Sequence, residues 1–269
     1  MYPHTHHQPD KPILEVNHLS VQYNGHPALV DITFHLHTGE RVAVVGPNGA
    51  GKSTLFKVVS GVIPPTSGEV KISGVGPSGH ICIAYVPQRS QVDWRFPASV
   101  ADVVMMGRIG QVGFLRWPRR SDWETVHTAL KAVDMDGMSN RQIGELSGGQ
   151  QQRTFLARAL AQEAELVLMD EPLNGLDTPS QEAILSLLDK LRQEKITVLV
   201  ATHDLGQAAE HFDRVMLLNH NLVSLGTPQV VLTSENLLRA YGGHAQLIQV
   251  EDGIKTLADS CCDGEETNE

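Results

Sequence analysis

Only three of the 269 residues are cysteines, Cys82 and the adjacent pair Cys261 and Cys262, so no disulfide framework is encoded. No apolar run approaches the ~18–20 residues that a membrane-spanning helix requires. The longest apolar stretches, 166–169, 196–201 and 215–218, have the length of buried strands. The first residues, Met1-Tyr2-Pro3-His4-Thr5-His6-His7, lack the basic-then-apolar order of a secretion signal. Positive charge is scarce as well. A formal net charge of -10 argues against a nucleic-acid partner held by a broad basic face. Together these absences read as a cytosolic protein. What is present is ordinary for a globular chain, 41% hydrophobic and 19% charged residues. Its length suits one large domain or a domain with an inserted subdomain.

Along the chain, residues 1–12 are rich in His and Pro and read as a flexible arm. Strand patterns follow at Ile13 to Val16, Leu19 to Tyr23, Ile32 to Leu36 and Arg41 to Val45. A helix is predicted from Lys52 to about Val59, closed by Gly61 and barred from continuing by Pro64-Pro65. Short strands fit Glu69 to Ile72 and Ile81 to Val86. Between about Arg89 and Glu165 the β-branched runs fade, and helices are expected at 100–107, 121–133 and 149–162. Strand character returns at Leu166 to Asp170, Thr197 to Ala201 and Arg214 to Leu218, with a helix from Ser180 to Gln193. Alternating β and α elements imply a parallel sheet, here interrupted by a helical insert. The expected organisation is a domain over 13–250, with core segments 13–88 and 166–250, a helical segment 89–165, and an acidic, disordered tail over 251–269.

Gly46-Pro47-Asn48-Gly49-Ala50-Gly51-Lys52-Ser53 matches G-x-x-x-x-G-K-[S/T], between an apolar strand and a helix start. Gly46, Gly49 and Gly51 let the backbone wrap closely, so that N–H groups around Asn48 and through Thr54 point at phosphates. The helix N-terminus adds partial positive charge. Lys52 would reach the β- and γ-phosphates, and Ser53 would offer its hydroxyl to Mg²⁺. Acidity of the whole chain does not count against ATP, because phosphates need only local positive charge and N–H groups. Leu166 to Asp170 is an apolar strand ending in the acids Asp170 and Glu171, at the sheet edge where ligands bind. Asp170 is predicted to hold Mg²⁺, and Glu171 to polarise a water in line with the γ-phosphate.

The order of motifs resembles the ATP-binding cassette family over about residues 13–250. Leu146-Ser147-Gly148-Gly149-Gln150 is similar to its signature motif, Gln88 to its Q-loop, Leu176-Asp177 to its D-loop and His203 to its H-loop. Tyr23 is similar to the aromatic that stacks on adenine, although a strand tyrosine also fits core or edge packing. The resemblance implies a P-loop NTPase (RecA-like) parallel-sheet core, an N-terminal antiparallel β subdomain and an inserted α-helical subdomain. It implies an ATPase with ATP and Mg²⁺ as cofactors, with Glu171, His203, Gln88 and Lys52 as catalytic residues and Ser53, Gln88 and Asp170 around the Mg²⁺. In the family, Ser147 and Gly149, with Gly148, Gln150 and Asp177 beside them, complete the site of a second subunit. A homodimer at the cytoplasmic face of a bacterial inner membrane is therefore expected, peripheral to transmembrane permease subunits and served indirectly by an extracytoplasmic metal-binding protein.

The cargo reading rests on the segment from Gln88 to Arg108, with Val92-Asp93-Trp94 and Phe96-Pro97 as its most specific part. That segment is similar to the ATPase subunits of manganese, zinc and iron importers. Haem, siderophore or cobalamin importers have similar cassettes, and soluble non-transport cassettes are a third possibility. Trp94 and Phe96 are expected at the permease interface, whereas Met105 and Met106 fit the helical subdomain's own core equally well. His4, His6, His7 and the cysteine pair carry no spacing that fits a tetrahedral metal site.

Overall fold

The computed structural model describes residues 11–76, 83–113, 116–242, 245–250 and 253–258. In chain order, β1 (Leu14–Tyr23) and β2 (His26–Leu36) form a hairpin, and β3 (Arg41–Val45) runs through the glycine-rich loop into α1 (Lys52–Val59). Next come β4 (Ser67–Ile72) and β5 (Ile83–Val86), then α2 (Val100–Met105), α3 (Ile109–Val112), α4 (Arg120–Ala132) and α5 (Gly148–Ala161). Alternation resumes with β6 (Leu166–Asp170), α6 (Thr178–Gln193), β7 (Thr197–Ala201), α7 (Leu205–His211) and β8 (Arg214–Asn219). The last described elements are β9 (Asn221–Gly226), α8 (Pro228–Val231), α9 (Ser234–Tyr241), β10 (Ala245–Val250) and β11 (Gly253–Ala258).

Two sheets carry the fold. β2-β1-β4 is antiparallel, and the larger sheet runs β5-β6-β7-β3-β8-β9, parallel throughout except where β8 meets β9. Every residue of β3, β6 and β7 is buried, which explains why these strands read as unbroken apolar runs. Their side chains still alternate between faces. Val42, Val44, Leu168, Leu199 and Met216 pack with α1 and the antiparallel sheet. Ala43, Val45, Met169, Val200 and Val215 pack with Leu156, Ile184 and Leu237 from the helices of the other face. Each large aliphatic side chain so buried contributes about 1.5–3 kcal/mol.

The helical insert is tied to the sheet through its edge. Among the described residues β5 has only β6 as a strand partner, so its outer carbonyls need other donors. α5 and the residue that caps it supply them: Arg158 Nη2 donates to Tyr85 O at 3.1 Å and Gln162 Nε2 to Ile83 O at 2.6 Å.

The α/β architecture expected from the sequence is the one observed, with several local differences. Two expected N-terminal strands are one strand, β1, with register shifts between Val16 and Val21 that absorb the break in alternation. α6 starts two residues before Ser180 because Pro179 suits a first helical turn. The helix expected to reach Gly107 ends at Met105 and tightens into a 3₁₀ turn, with Gly107 pressed against the Arg158 carbonyl. α7, β9, α8 and α9 escaped the sequence reading because they are short. Gly253–Ala258, inside the segment expected as an acidic tail, pairs antiparallel with β10; it holds no acidic residue of its own and includes Ile254, Thr256 and Leu257, which suit a strand. The expected N-terminal arm up to Asp10, the pair Ile81-Cys82 and residues 259–269 lie outside the described residues.

Candidate functional site

Four strands deliver functional side chains to the carboxyl edge of the parallel sheet, where open α/β sheets bind ligands. β3 leads into the loop Gly46–Ser53, β5 into Gln88, β6 ends in Asp170 and Glu171, and β7 leads to His203. Close packing dictates the loop's glycines. A Cβ on Gly46 would lie 2.0 Å from Leu218 O, and one on Gly51 2.6 Å from Ala28 O, with Gly51 also left-handed at φ +97°. α1 begins on Gly51 with no side chain capping it and no acid in its first turn. Its first N–H groups and the positive end of its dipole therefore face the cavity without competition, which fits an anion such as a phosphate.

Lys52 is buried and donates from Nζ to Gly46 O (2.7 Å) and Pro47 O (3.0 Å), clasping its own loop. Burial pushes its pKa down, while Glu171 and Asp170 pull it back up. Asp170 is 2% exposed, and burial pushes its carboxyl pKa upward; the Ser53 hydroxyl hydrogen-bonded to it works in the opposite sense. Tyr85 Oη lies 3.5 Å from Asp170 Oδ2. A carboxylate so desolvated beside a serine hydroxyl is a fitting place for a cation. Glu171 stands one residue beyond β6 in the left-handed region, φ 50°, with its N–H still donating to Ala201 O. Its Oε2 accepts from Gln88 Nε2 at 2.9 Å and from Asn174 Nδ2 at 3.0 Å.

Lys52, Ser53, Gln88 and Glu171 line one cavity of about 890 Å³, while Asp170 lies buried behind that lining, next to Glu171 in the chain. The cavity gathers Tyr23, Gly46, Asn48, Gly49, Gly51, Lys52, Ser53, Thr54, Gln88, Glu171 and His203. Tyr23 is 47% exposed at the end of β1, so its ring is free to meet a planar ligand. Ser147, Gly148, Gly149, Gln150 and Asp177 are not part of that lining. Ser147 caps α5 in a reciprocal pair, with its N–H on Gln150 Oε1 (2.9 Å) and Gln150 N–H on Ser147 Oγ (3.3 Å). Asp177 is exposed at the start of α6.

Ala28, Asn174 and Tyr241 also line the cavity and were missed. Asn174 had a signal in sequence, since Glu171-Pro172-Leu173-Asn174 reads as a proline turn; Tyr241, in Tyr241-Gly242-Gly243, adds to the family resemblance, but nothing in the sequence ties it to the cavity. The interface expectation for Trp94 is revised. Its ring meets Phe155 edge-on at 5.5 Å and its Nε1 donates to Arg89 O at 3.0 Å, so its packing is largely internal. Phe96, 55% exposed, remains free. Met105 packs on the core and Met106 is exposed.

A phosphate loop, a buried acid, a second acid facing the loop and a distant signature turn define a nucleotide-hydrolysing cassette. A profile of the family described as ABC transporter matches residues 29–174, and the chain belongs to that family. It is 44% identical to the manganese transport system ATP-binding protein MntB of Bacillus subtilis, over 88% of this chain and 95% of that protein. It is 46% identical to the chelated iron transport system membrane protein YfeB of Yersinia pestis (87% and 80% covered). It is also 46% identical to the zinc transport system ATP-binding protein TroB of Treponema pallidum (86% and 87%). Among solved structures, an ABC transporter described as of metal-chelate type, in an inward-facing conformation, superposes with a TM-score of 0.77 at 32% identity, covering 91% of this chain and 96% of that one. The protein is an ATP-binding, ATP-hydrolysing subunit of an ABC transporter, a class that works with membrane permease components. No described helix is long and apolar enough to cross a membrane.

Proposed function

We propose that this chain couples ATP binding and hydrolysis to uptake of a divalent transition metal, manganese, zinc or iron, through a partner permease. Similarity to relatives named for manganese, chelated iron and zinc transport, at 44% to 46% identity, carries this reading. The near-equality of those identities supports the class of cargo without favouring one metal. The protein sits at the cytoplasmic face of the membrane, peripheral to the permease, and an extracytoplasmic metal-binding protein delivers the cargo. Its working parts are the segments 13–88 and 166–250, which hold the nucleotide, and 89–165, which faces the permease, with Phe96 as an apolar contact.

Within the site, Tyr23 stacks on adenine, and the N–H groups of 46–54 with Lys52 hold the phosphates. Ser53, Gln88 and Asp170 would hold Mg²⁺, which neutralises phosphate charge and orients the γ-phosphate. The buried Asp170 carboxylate with its serine neighbour is the feature that fits that ion. Glu171 accepts a proton from the attacking water, and His203 donates a hydrogen bond to the γ-phosphate. The signature turn is no part of the lining of the chain's own cavity, which supports the reading that Ser147, Gly148, Gly149 and Gln150, with Asp177 nearby, complete the cavity of a second copy. Closure of the homodimer on ATP and its opening after hydrolysis drive alternating access in the permease.

Growth and radiometal uptake of a deletion strain under single-metal limitation test the cargo. The expected result is loss of uptake for one of manganese, zinc or iron, restored by the gene and not by its Glu171→Gln form. A second reading, a metal chelate as cargo, is favoured by the likeness to a transporter described as metal-chelate type. Intact ion uptake with loss of haem, siderophore or cobalamin use would establish that reading in place of the first. Neighbouring genes for cluster assembly, with no permease, would point to a soluble role.

A further inference from the structure

The Glu171 carboxylate is held from two sides, and the two holders are differently mounted. Glu171 and Asn174 open and close one tight turn: Asn174 N–H donates to Glu171 O at 3.2 Å, with Pro172 in the second position. That turn folds the Asn174 amide back onto the carboxylate of the residue that starts it, Nδ2 to Oε2 at 3.0 Å. Gln88 reaches the same oxygen at 2.9 Å from the start of a 3₁₀ turn beyond the edge strand β5. A carboxylate only accepts, so both amides must present their NH₂ groups, and two such donors fill the lone pairs of Oε2. No donor among the described residues is recorded on Oε1. Asn174 is exposed and its side chain packs in no core, so its place on the cavity wall beside Glu171 is not explained by stability.

We propose that Asn174 is a positioning residue for hydrolysis, resting on the reading of Glu171 as the base. By occupying Oε2 it turns Oε1 toward the attacking water, and it keeps that orientation when Gln88 leaves the carboxylate for Mg²⁺ and the γ-phosphate. Gln88 belongs to another segment and can depart; Asn174 shares a turn with Glu171 and moves with it. The left-handed backbone of Glu171 is the strained element that this turn holds in place.

Steady-state ATP hydrolysis by the full chain with its permease tests the assignment. Asn174→Ala is expected to lower kcat about tenfold or more, the usual effect of losing one hydrogen bond to a charged group, with KM for ATP within about twofold. Asn174→Asp keeps the shape but replaces the donor with a like charge, and is expected to lower kcat further. In a Glu171→Gln background, Asn174→Ala should leave ATP-trapped dimer formation unchanged. Wild-type kcat in Asn174→Ala, an effect confined to KM, or loss of trapping in the double variant would each overturn the proposal. Rapid hydrolysis by Glu171→Gln alone would instead remove the base on which it rests.

Discussion

The two glycine-rich helix starts of this chain, at Gly51 and at Ser147, use similar ingredients to opposite local effect. α1 begins with no side-chain cap, no acid in its first turn and a buried lysine beside it, so its N–H groups await an anion. α5 is capped by its own residues, Ser147 and Gln150 satisfying each other's N–H groups, and it stands outside the cavity. On the proposed reading the first start is a phosphate site within one chain. On the same proposed reading the second is quiet until another copy presents a phosphate to it. A helix N-terminus therefore becomes a site through what surrounds it, not through its glycines alone.

The strongest way to break this contrast acts on the loop side. Lys52→Ala and Glu171→Gln are each expected to lower hydrolysis by about a thousandfold, but they should separate in binding. Glu171→Gln keeps ATP and accumulates a closed dimer in gel filtration, whereas Lys52→Ala loses nucleotide affinity. On the signature side the effect is expected to fall on turnover and not on ATP affinity. Ser147→Arg should abolish turnover while leaving ATP affinity of the dilute monomer within about twofold, because Ser147 is no part of that chain's own cavity. Equilibrium binding of a fluorescent ATP analogue at low protein concentration checks this. Ser147→Ala, which removes a cap worth about 1 kcal/mol, should also lower the melting temperature by about 2–4 °C.

Asp170→Asn sharpens the electrostatic half of the comparison. Burial opposes the ionised form of Asp170 while Ser53 and Lys52 favour it, so the neutral isostere should leave the nucleotide-free protein folded, with little change in melting temperature, while abolishing Mg²⁺-dependent turnover. Calorimetry without nucleotide, beside an assay with it, separates the two effects. The smallest change is expected for Tyr23→Ala: KM for ATP rises about tenfold at most, the scale of one aromatic stacking contact, and kcat holds.

Much of this contrast is legible in sequence. The loop Gly46–Ser53, the acids after β6 and the alternation of strands and helices are local patterns, and each is dictated by backbone geometry that only a few residue types satisfy. Side chains that meet across the fold left weaker traces. Trp94 looked like an interface residue because its loop ends in Phe96-Pro97, but Phe155, far along the chain in α5, claims its ring. Asn174 sits in a turn whose sequence was readable, yet its hold on Glu171 depends on where that turn points. The strand Gly253–Ala258 was concealed by the acidic composition around it. Cargo is the least legible property, because the transported species need never touch this chain.

Mixing two inactive variants tests the central claim, that each ATP site is shared between two copies, most directly. Lys52→Ala retains an intact signature turn, and Ser147→Arg retains an intact phosphate loop. Equal amounts of the two should recover roughly a quarter of wild-type hydrolysis, since half of randomly formed dimers then hold one complete site of two. No recovery in mixed dimers, or wild-type hydrolysis by Ser147→Arg on its own, would contradict the account.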